Sequence, residues 1–115
     1  MQRLTLTGRL TRDPELRTLP SGQPVCKLRL AVADMASGHE TGYITVSSFG
    51  KAGEAAASVL RTGWLVAVDG RLEYREWEQD GKTRHDYEVI GNVEFLAAPR
   101  SARTEDAEPS VAAGA

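Results

Sequence analysis

The chain has 115 residues, of which 41% are hydrophobic, and its 14 Lys and Arg against 16 Asp and Glu give a net charge of -2. This length fits one ordinary domain. The net charge provides no global attraction to nucleic acid or to an anionic membrane, so a site for a polyanion would need cations gathered on one face. The single cysteine, Cys26, excludes an internal disulfide. With no leader and no long apolar run, the sequence predicts a cytoplasmic protein without a membrane segment.

Alternation of apolar and polar residues predicts three strands in the first half of the chain. The first runs from Arg3 to Leu10, and a short extended piece near Leu16–Thr18 follows it between turns rich in Pro and Gly. The second strand covers Val25–Ala33 and the third Tyr43–Gly50, both with a period of two. Between them, Asp34–Gly42 has no hydrophobic rhythm and is predicted to be a flexible loop.

The second half contains one helix and two longer strands. Apolar residues of Ala52–Leu60 recur at helical spacing, and Gly63 is predicted to stop the helix. The fourth strand covers Trp64–Trp77, with a bend or a bulge expected at Gly70. The remaining features are a hairpin turn at Gln79–Lys82 and a last strand over Thr83–Ile90, extended at Val93–Leu96.

The predicted fold is all-β: a five-stranded OB-fold Greek-key barrel with one short helix between strands 3 and 4. Such barrels often bind oligonucleotides or oligosaccharides, but the order of elements alone does not define the ligand. Beyond Ala97 the composition shifts to Ala, Pro, Ser and Glu without aromatics. We therefore expect a domain over residues 1–97 and a disordered tail over 98–115.

Four segments in order resemble the bacterial single-stranded DNA-binding protein (SSB) family. They are Leu10–Arg17 with Pro20–Gly22, Phe49–Lys51 entering the helix, Leu60–Gly63 leaving it, and Val68–Leu72 followed by Trp77. The resemblance covers about residues 2–96. It implies sequence-independent binding and protection of single-stranded DNA in replication, recombination and repair, by a main SSB or a shortened paralogue. It further implies no catalysis, no cofactor, a homotetramer (with a dimer left open) and a nucleoid-associated location in the cytoplasm.

Binding of single strands requires surfaces for base stacking. Tyr43, Phe49 and Trp77 match positions where the family carries stacking aromatics. The alternative is that these rings fill the core, as large apolar side chains usually do. Polar Thr45 and Ser47 favour an exposed face for the first two, and the charged neighbours of Trp77 favour exposure there. Trp64, in contrast, opens an apolar set and is expected to pack in the core.

Cations on the predicted strands and hairpin are candidates for phosphate contacts. They are Lys27, Arg29, Arg71, Arg75, Lys82 and Arg84. The alternative is an ordinary solvated surface. Three carboxylates beside Arg75 dilute the positive potential: Glu73, Glu76 and Glu78. The loop before strand 3 is also shorter than in the family, with Met35 near where relatives can place another aromatic. We therefore expect weaker DNA affinity than in a strong member of the family.

Two rival functions remain open at this stage. One is an accessory primosomal-type OB-fold interaction module. The other is a nuclease with a metal held by the acidic run around Glu76, for which a salt-bridged surface is the simpler explanation. His39, His85 and Cys26 have no zinc-ligand spacing, and Cys26 is expected to be a small buried residue. The terminus at 108–115 lacks the acidic, apolar-tipped end that docks partner enzymes in the family, so poor docking through this tip is expected.

Overall fold

The computed structural model describes residues 1–33 and 41–100. Six strands form one sheet in the order β1-β5-β6-β4-β3-β2, and an additional β1–β3 pairing closes it. The elements are β1 (Leu4–Leu10), β2 (Glu15–Thr18), β3 (Pro24–Ala33), β4 (Thr41–Phe49), α1 (Gly50–Val59), β5 (Leu65–Gln79) and β6 (Lys82–Ala97). The predicted all-β OB architecture, with one helix after the third long strand, is confirmed, and the short extended piece is β2.

Closure of the barrel depends on β1. This strand pairs antiparallel with β5 from Leu4 to Arg9 and crosses to β3 at Arg9 and Leu10. On the other side of the barrel β4 pairs with β6 in parallel, from Thr45 opposite Glu88 to Ser47 opposite Ile90. Strands β5 and β6 continue beyond the residues that pair with β1 and β4, so their hairpin extends past the barrel. Its part beyond the pairing with β4, residues 74–87, is called the arm below.

The core follows the alternation in the sequence. Cys26, Leu28 and Leu30 of β3 point inward with at most 2% of their surface exposed, as the period of two predicted. Burial raises the pKa of the Cys26 thiol, which fits a packing role for this side chain. Helix α1 packs on the same core through Ala56, and Leu60 beyond its end is fully buried. The helix therefore covers one end of the barrel.

Two element boundaries differ from the prediction. The helix ends at Val59 because Leu60 is already extended, with φ -76° and ψ 146°, while its N–H still donates to the carbonyl of Ala56. Gly63 lies in the following turn at φ 92° and donates its N–H to Leu10, so it connects the turn to β1 and does not stop the helix. Strand β4 already begins at Thr41; of the predicted loop, residues 34–40 lie outside the described part of the chain.

The β5–β6 hairpin has the predicted turn. Asp80 and Gly81 both have positive φ, 53° and 74°, and they connect Gln79 directly to Lys82. The two strands pair without slippage from there through Gly70, and the only register shift between them lies at Leu65/Val66. The bulge is therefore not at Gly70. The predicted tail lies largely outside the described residues, from 101 onward, and no described helix is long and apolar enough to cross a membrane.

Candidate nucleic-acid interface

The strand register places all nine candidate residues on one face of the sheet. Residues directly opposite each other on neighbouring strands project to the same side, and alternate residues along a strand share that side. The chain of partners runs from Lys27 to Ser47, from Thr45 to Glu88, and from Glu88 to Glu73. We call this surface the cationic face. It carries Lys27, Arg29, Tyr43, Phe49, Arg71, Arg75, Trp77, Lys82 and Arg84.

The three candidate aromatics are accessible on this face. Tyr43 is 59% exposed, Phe49 37% and Trp77 44%, so each ring presents a surface to solvent. Tyr43 lies opposite the small Ala31, and the guanidinium carbon of Arg29 is 5.9 Å from its ring centroid. The rings lie at both ends of β4 and out along the arm. All three are exposed on the same face, in line with the stacking that single-strand binding requires.

Trp64 behaves differently from Trp77, as predicted. It packs against the buried core and contacts Phe95 edge to face, with ring centroids 6.3 Å apart. Trp77 lies in the arm opposite Arg84, where no strand other than β5 and β6 is paired. The two indoles of the chain therefore occupy different environments, one structural and one available to a ligand.

A buried acidic centre lies in the middle of the cationic face. Glu88 is only 5% exposed. Its Oε2 accepts hydrogen bonds from Lys27 Nζ at 2.7 Å and from the Ser47 hydroxyl, and its Oε1 lies 3.5 Å from Arg75 Nη2. Ser47 is predicted to be exposed, and this prediction is wrong: the residue is fully buried, its hydroxyl donates to Glu88, and Lys27 lies directly opposite it. Nothing local in the sequence indicates this contact, since 41 residues separate Ser47 from Glu88.

The network keeps the Glu88 carboxylate charged. Burial by itself raises its pKa, because a charge is poorly solvated inside a protein. The hydrogen bonds from Lys27 and Ser47, with the positive charges of Lys27 and Arg75, act in the opposite direction and prevail. The pKa of Glu88 therefore lies below its usual value. At neutral pH the centre of the face contains a buried anion held by two of the candidate phosphate-binding cations.

The remaining cations are only partly compensated. Arg71 pairs with Glu73 at 3.3 Å, and Arg75 lies 3.7 Å from Asp86 as well as near Glu88. For Lys82 and Arg84 no ion pair is found within the described residues. Of the three carboxylates predicted to dilute the positive potential, Glu73 lies on the cationic face. The other two carboxylates of the run lie on the opposite face of the arm by register, so the run does not act as a group.

The opposite face of the arm carries an aromatic cluster that the sequence analysis missed. Tyr74 and Tyr87 are cross-strand partners with ring centroids 5.0 Å apart, and His85 stacks on Tyr74 at 6.0 Å. The Tyr74 hydroxyl donates to Glu76 at 2.7 Å, and this hydrogen bond is the main cause that raises the pKa of Tyr74. Two isolated strands are marginally stable in water, so these contacts stabilise the arm. The alternation of residues along β5 and β6 places Tyr74 and Tyr87 on the face opposite Trp77, and this pattern is the sequence signal that could have indicated the cluster.

The arrangement gives no support to metal chemistry. Within the described ranges no three His, Cys, Asp or Glu side chains are grouped as metal ligands. Glu73 projects from one face of β5, whereas Glu76 and Glu78 project from the other. The carboxylates invoked for a nuclease therefore cannot converge on one ion while β5 keeps this pairing. His39 lies outside the described residues.

A small β-barrel with exposed aromatics and cations on one face is typical of the OB-type domains that bind nucleic acid. The comparison with known families agrees. The model of the single-strand binding protein family matches residues 1–96. The chain therefore belongs to the single-strand binding protein family.

Three relatives, each named a single-stranded DNA-binding protein, illustrate the similarity. The protein of Oceanobacillus iheyensis is 36% identical over 112 residues, which cover 92% of this chain and 70% of the relative. That of Bacillus cereus is 41% identical over 102 residues, covering 84% of this chain and 60% of the relative. That of Aquifex aeolicus is 32% identical over 115 residues, covering 94% and 78%. The chain thus spans 60% to 78% of the length of these relatives.

Proposed function

We propose that this protein binds single-stranded DNA without sequence preference through its cationic face, and that it protects transient single strands in replication, recombination and repair. One observation carries the proposal: Tyr43, Phe49 and Trp77 are exposed on the same sheet face as six candidate cations. Membership of a family with single-stranded DNA-binding relatives supports it. We assign this activity to a domain over residues 1–97, with 98–115 as a disordered tail.

The proposed mechanism combines two interactions that do not read base identity. Each base stacked on an aromatic contributes about 1–3 kcal/mol, and every base has a π-face. Cations such as Arg84 neutralise phosphates and release counterions. Sequence-specific readout would require polar groups aimed at base edges. The mechanism needs no chemistry on the strand and no cofactor, and the protein is proposed to be a non-catalytic member of its family.

We further propose that the protein works as a homotetramer, with a dimer as the alternative, in the nucleoid-associated cytoplasm where single strands arise. The outer edge of β1 supports self-association. Within the described residues Leu4–Gly8 pair on one side only, with β5, which leaves backbone donors and acceptors free to pair with another chain. Sedimentation equilibrium distinguishes the two assemblies, and a monomer at all concentrations would refute both.

The test of the proposed function is a titration with fluorescent oligothymidylate and with a duplex of equal length, repeated over a series of salt concentrations. We expect preference for the single strand, and an affinity that falls steeply with salt because phosphate contacts release counterions. A mixed-sequence single strand should bind with similar affinity. Equal affinity for the duplex, or an affinity independent of salt, would refute the proposal.

The two rivals make different predictions. A nuclease should cut labelled single strands in the presence of magnesium or calcium, and we expect the strands to remain intact. An accessory primosomal-type module should contact replication proteins with DNA binding secondary, and the names of the relatives give that reading no support.

A further inference from the structure

The cationic face contains a carboxylate where a phosphate-binding surface has no apparent use for one. Glu88 lies between β4 and β5, opposite Thr45 on one side and Glu73 on the other, so it is central to the face. Its side chain is 6% exposed, against 32% for Lys27 and 59% for Arg75. The carboxylate therefore lies beneath the two cations and is screened from a ligand by them.

In the free protein, the ion pairs with Glu88 already neutralise part of the positive charge of Lys27 and Arg75. The 2.7 Å bond to Lys27 has the length of a strong charge-assisted hydrogen bond, and Arg75 Nη2 lies within 3.5 Å of the other carboxylate oxygen. Buried, this charge is little screened by salt, whereas a phosphate approaches from solvent where screening is strong. Glu88 thus cancels one of the two positive charges of Lys27 and Arg75, in addition to the partial compensation of Arg75 by Asp86 at 3.7 Å.

We infer that Glu88 is an internal counter-ion of the DNA-binding face: it competes with the phosphate backbone for Lys27 and Arg75 and thereby lowers the affinity and the salt dependence of single-strand binding. This role presupposes the DNA binding proposed above. Its physical consequence is a face on which Lys27 and Arg75 contribute little to phosphate binding, while Arg29 in the barrel and cations of the arm such as Arg84 contact phosphates more freely. A strand held in this way dissociates more readily than one held by uncompensated cations.

The first experiment compares the wild-type protein with Glu88→Gln in salt titrations of oligothymidylate. Gln keeps the shape and can still hydrogen-bond Ser47 and Lys27, but it removes the negative charge. We expect the slope of log affinity against log salt to steepen by about 0.7, which corresponds to roughly eightfold tighter binding at about 50 mM salt and little difference near 1 M. The matched control is Glu54→Gln, an exposed residue of α1 outside the sheet, which changes the net charge equally. It should bind like the wild type.

A double-mutant cycle measures the coupling between Glu88 and Lys27 in DNA binding. If Glu88 neutralises Lys27, then Lys27→Gln should weaken binding less in the wild-type background than in the Glu88→Gln background, and the two substitutions should not be additive. Glu88→Asp retains the charge on a shorter side chain and should keep the shallow salt slope. Additive substitutions would overturn the inference, because they would show that Lys27 contacts DNA independently of Glu88.

Circular dichroism shows whether Glu88→Gln folds. If it does not, the inference is tested by comparing the salt slopes of Lys27→Gln and Arg84→Gln, because neither substitution removes the buried carboxylate. Lys27→Gln should lower the salt slope by clearly less than Arg84→Gln does, and equal losses would overturn the inference. A folded Glu88→Gln that binds like Glu54→Gln, or more weakly than the wild type, would also overturn it. If the wild-type protein itself fails to bind single strands, the proposed function fails and the role of Glu88 with it.

Discussion

Gly70 and Gly91 lie directly opposite each other in the antiparallel pairing of β5 with β6, and a Cβ built on either residue would come within 2.7 Å of the other's Cα. Real Cβ atoms do not approach a backbone so closely, so the two strands can lie this close together only because both residues lack side chains. This contact lies inside the barrel, where Gly70 also pairs with Leu4 of β1 and Gly91 follows the β6 residues that pair with β4.

Gly70→Ala should therefore destabilise the protein by about 1–3 kcal/mol, because the added methyl group meets backbone atoms that cannot move aside. Thermal unfolding followed by circular dichroism measures the loss. The matched control is Gly42→Ala: Gly42 also lies in a strand, but nothing lies within 4 Å of its added Cβ. A Gly70→Ala protein as stable as Gly42→Ala would show that the strands are not in this close contact.

Trp77→Ala and Trp64→Ala should separate binding from stability. Truncation of the exposed Trp77 should weaken binding of oligothymidylate by about 1–3 kcal/mol and leave the melting temperature almost unchanged. Trp64→Ala removes a ring that packs on the core and on Phe95, so it should cost about 3 kcal/mol of unfolding free energy. Isothermal titration calorimetry and thermal unfolding of both variants check this. Full DNA affinity in Trp77→Ala would show that the arm stacks no base, and would leave Tyr43, Phe49 and the cations to account for binding.

Tyr43→Ala and Phe49→Ala test the barrel part of the face. Each should weaken single-strand binding by about 1–3 kcal/mol, the contribution of one stacked base. Phe49 is the less exposed of the two, at 37% against 59%, so its removal should also lower the melting temperature more. Tyr43→Phe keeps the ring and serves as the control, and it should bind nearly as the wild type does. Unchanged affinity in both alanine variants would exclude the barrel part from the binding surface.

The pKa of Glu88 predicts a loss of stability in acid. Because the folded-state pKa lies below the value of 4.5 for an unperturbed carboxyl, the charged network stabilises the fold above about pH 4.5, and this contribution is lost as the pH falls through the folded-state pKa. At neutral pH, Glu88→Gln should lower the unfolding free energy by about 1.5–3 kcal/mol, since bonds to a charged group are replaced by neutral ones.

Urea unfolding between pH 7 and pH 2.5 measures this difference. The difference in unfolding free energy between the wild type and Glu88→Gln should become smaller as the solution becomes acidic. Part of the acid sensitivity should remain in the variant, because hydrogen bonds from Thr62 also lower the pKa of Asp13. A difference in unfolding free energy that stays constant from pH 7 to pH 2.5 would mean that the ionisation of Glu88 does not contribute to stability.

Features that depend on neighbouring residues, such as strand alternation and turns, could be predicted from the sequence. Contacts between residues far apart in the chain could not. The alternation in β3 identified the buried Cys26, and Asp80–Gly81 identified the hairpin turn, because both signals are local. Ser47 was placed on an exposed face by the same alternation, but its burial depends on Glu88 from a strand 41 residues away. The separation of Glu73 from Glu76 and Glu78 onto opposite faces follows from the period of two and is therefore also a local feature of the sequence.

Indole fluorescence tests the central claim most directly, because the chain has only two tryptophans. Oligothymidylate is titrated into the wild type, Trp77→Phe and Trp64→Phe at low salt, and the quenching of emission is recorded. If bases stack on the arm, quenching should persist in Trp64→Phe, where Trp77 is the emitter, and be nearly lost in Trp77→Phe, where the packed Trp64 remains. Strong quenching in Trp77→Phe and none in Trp64→Phe would contradict the assignment of the cationic face as the DNA-binding surface.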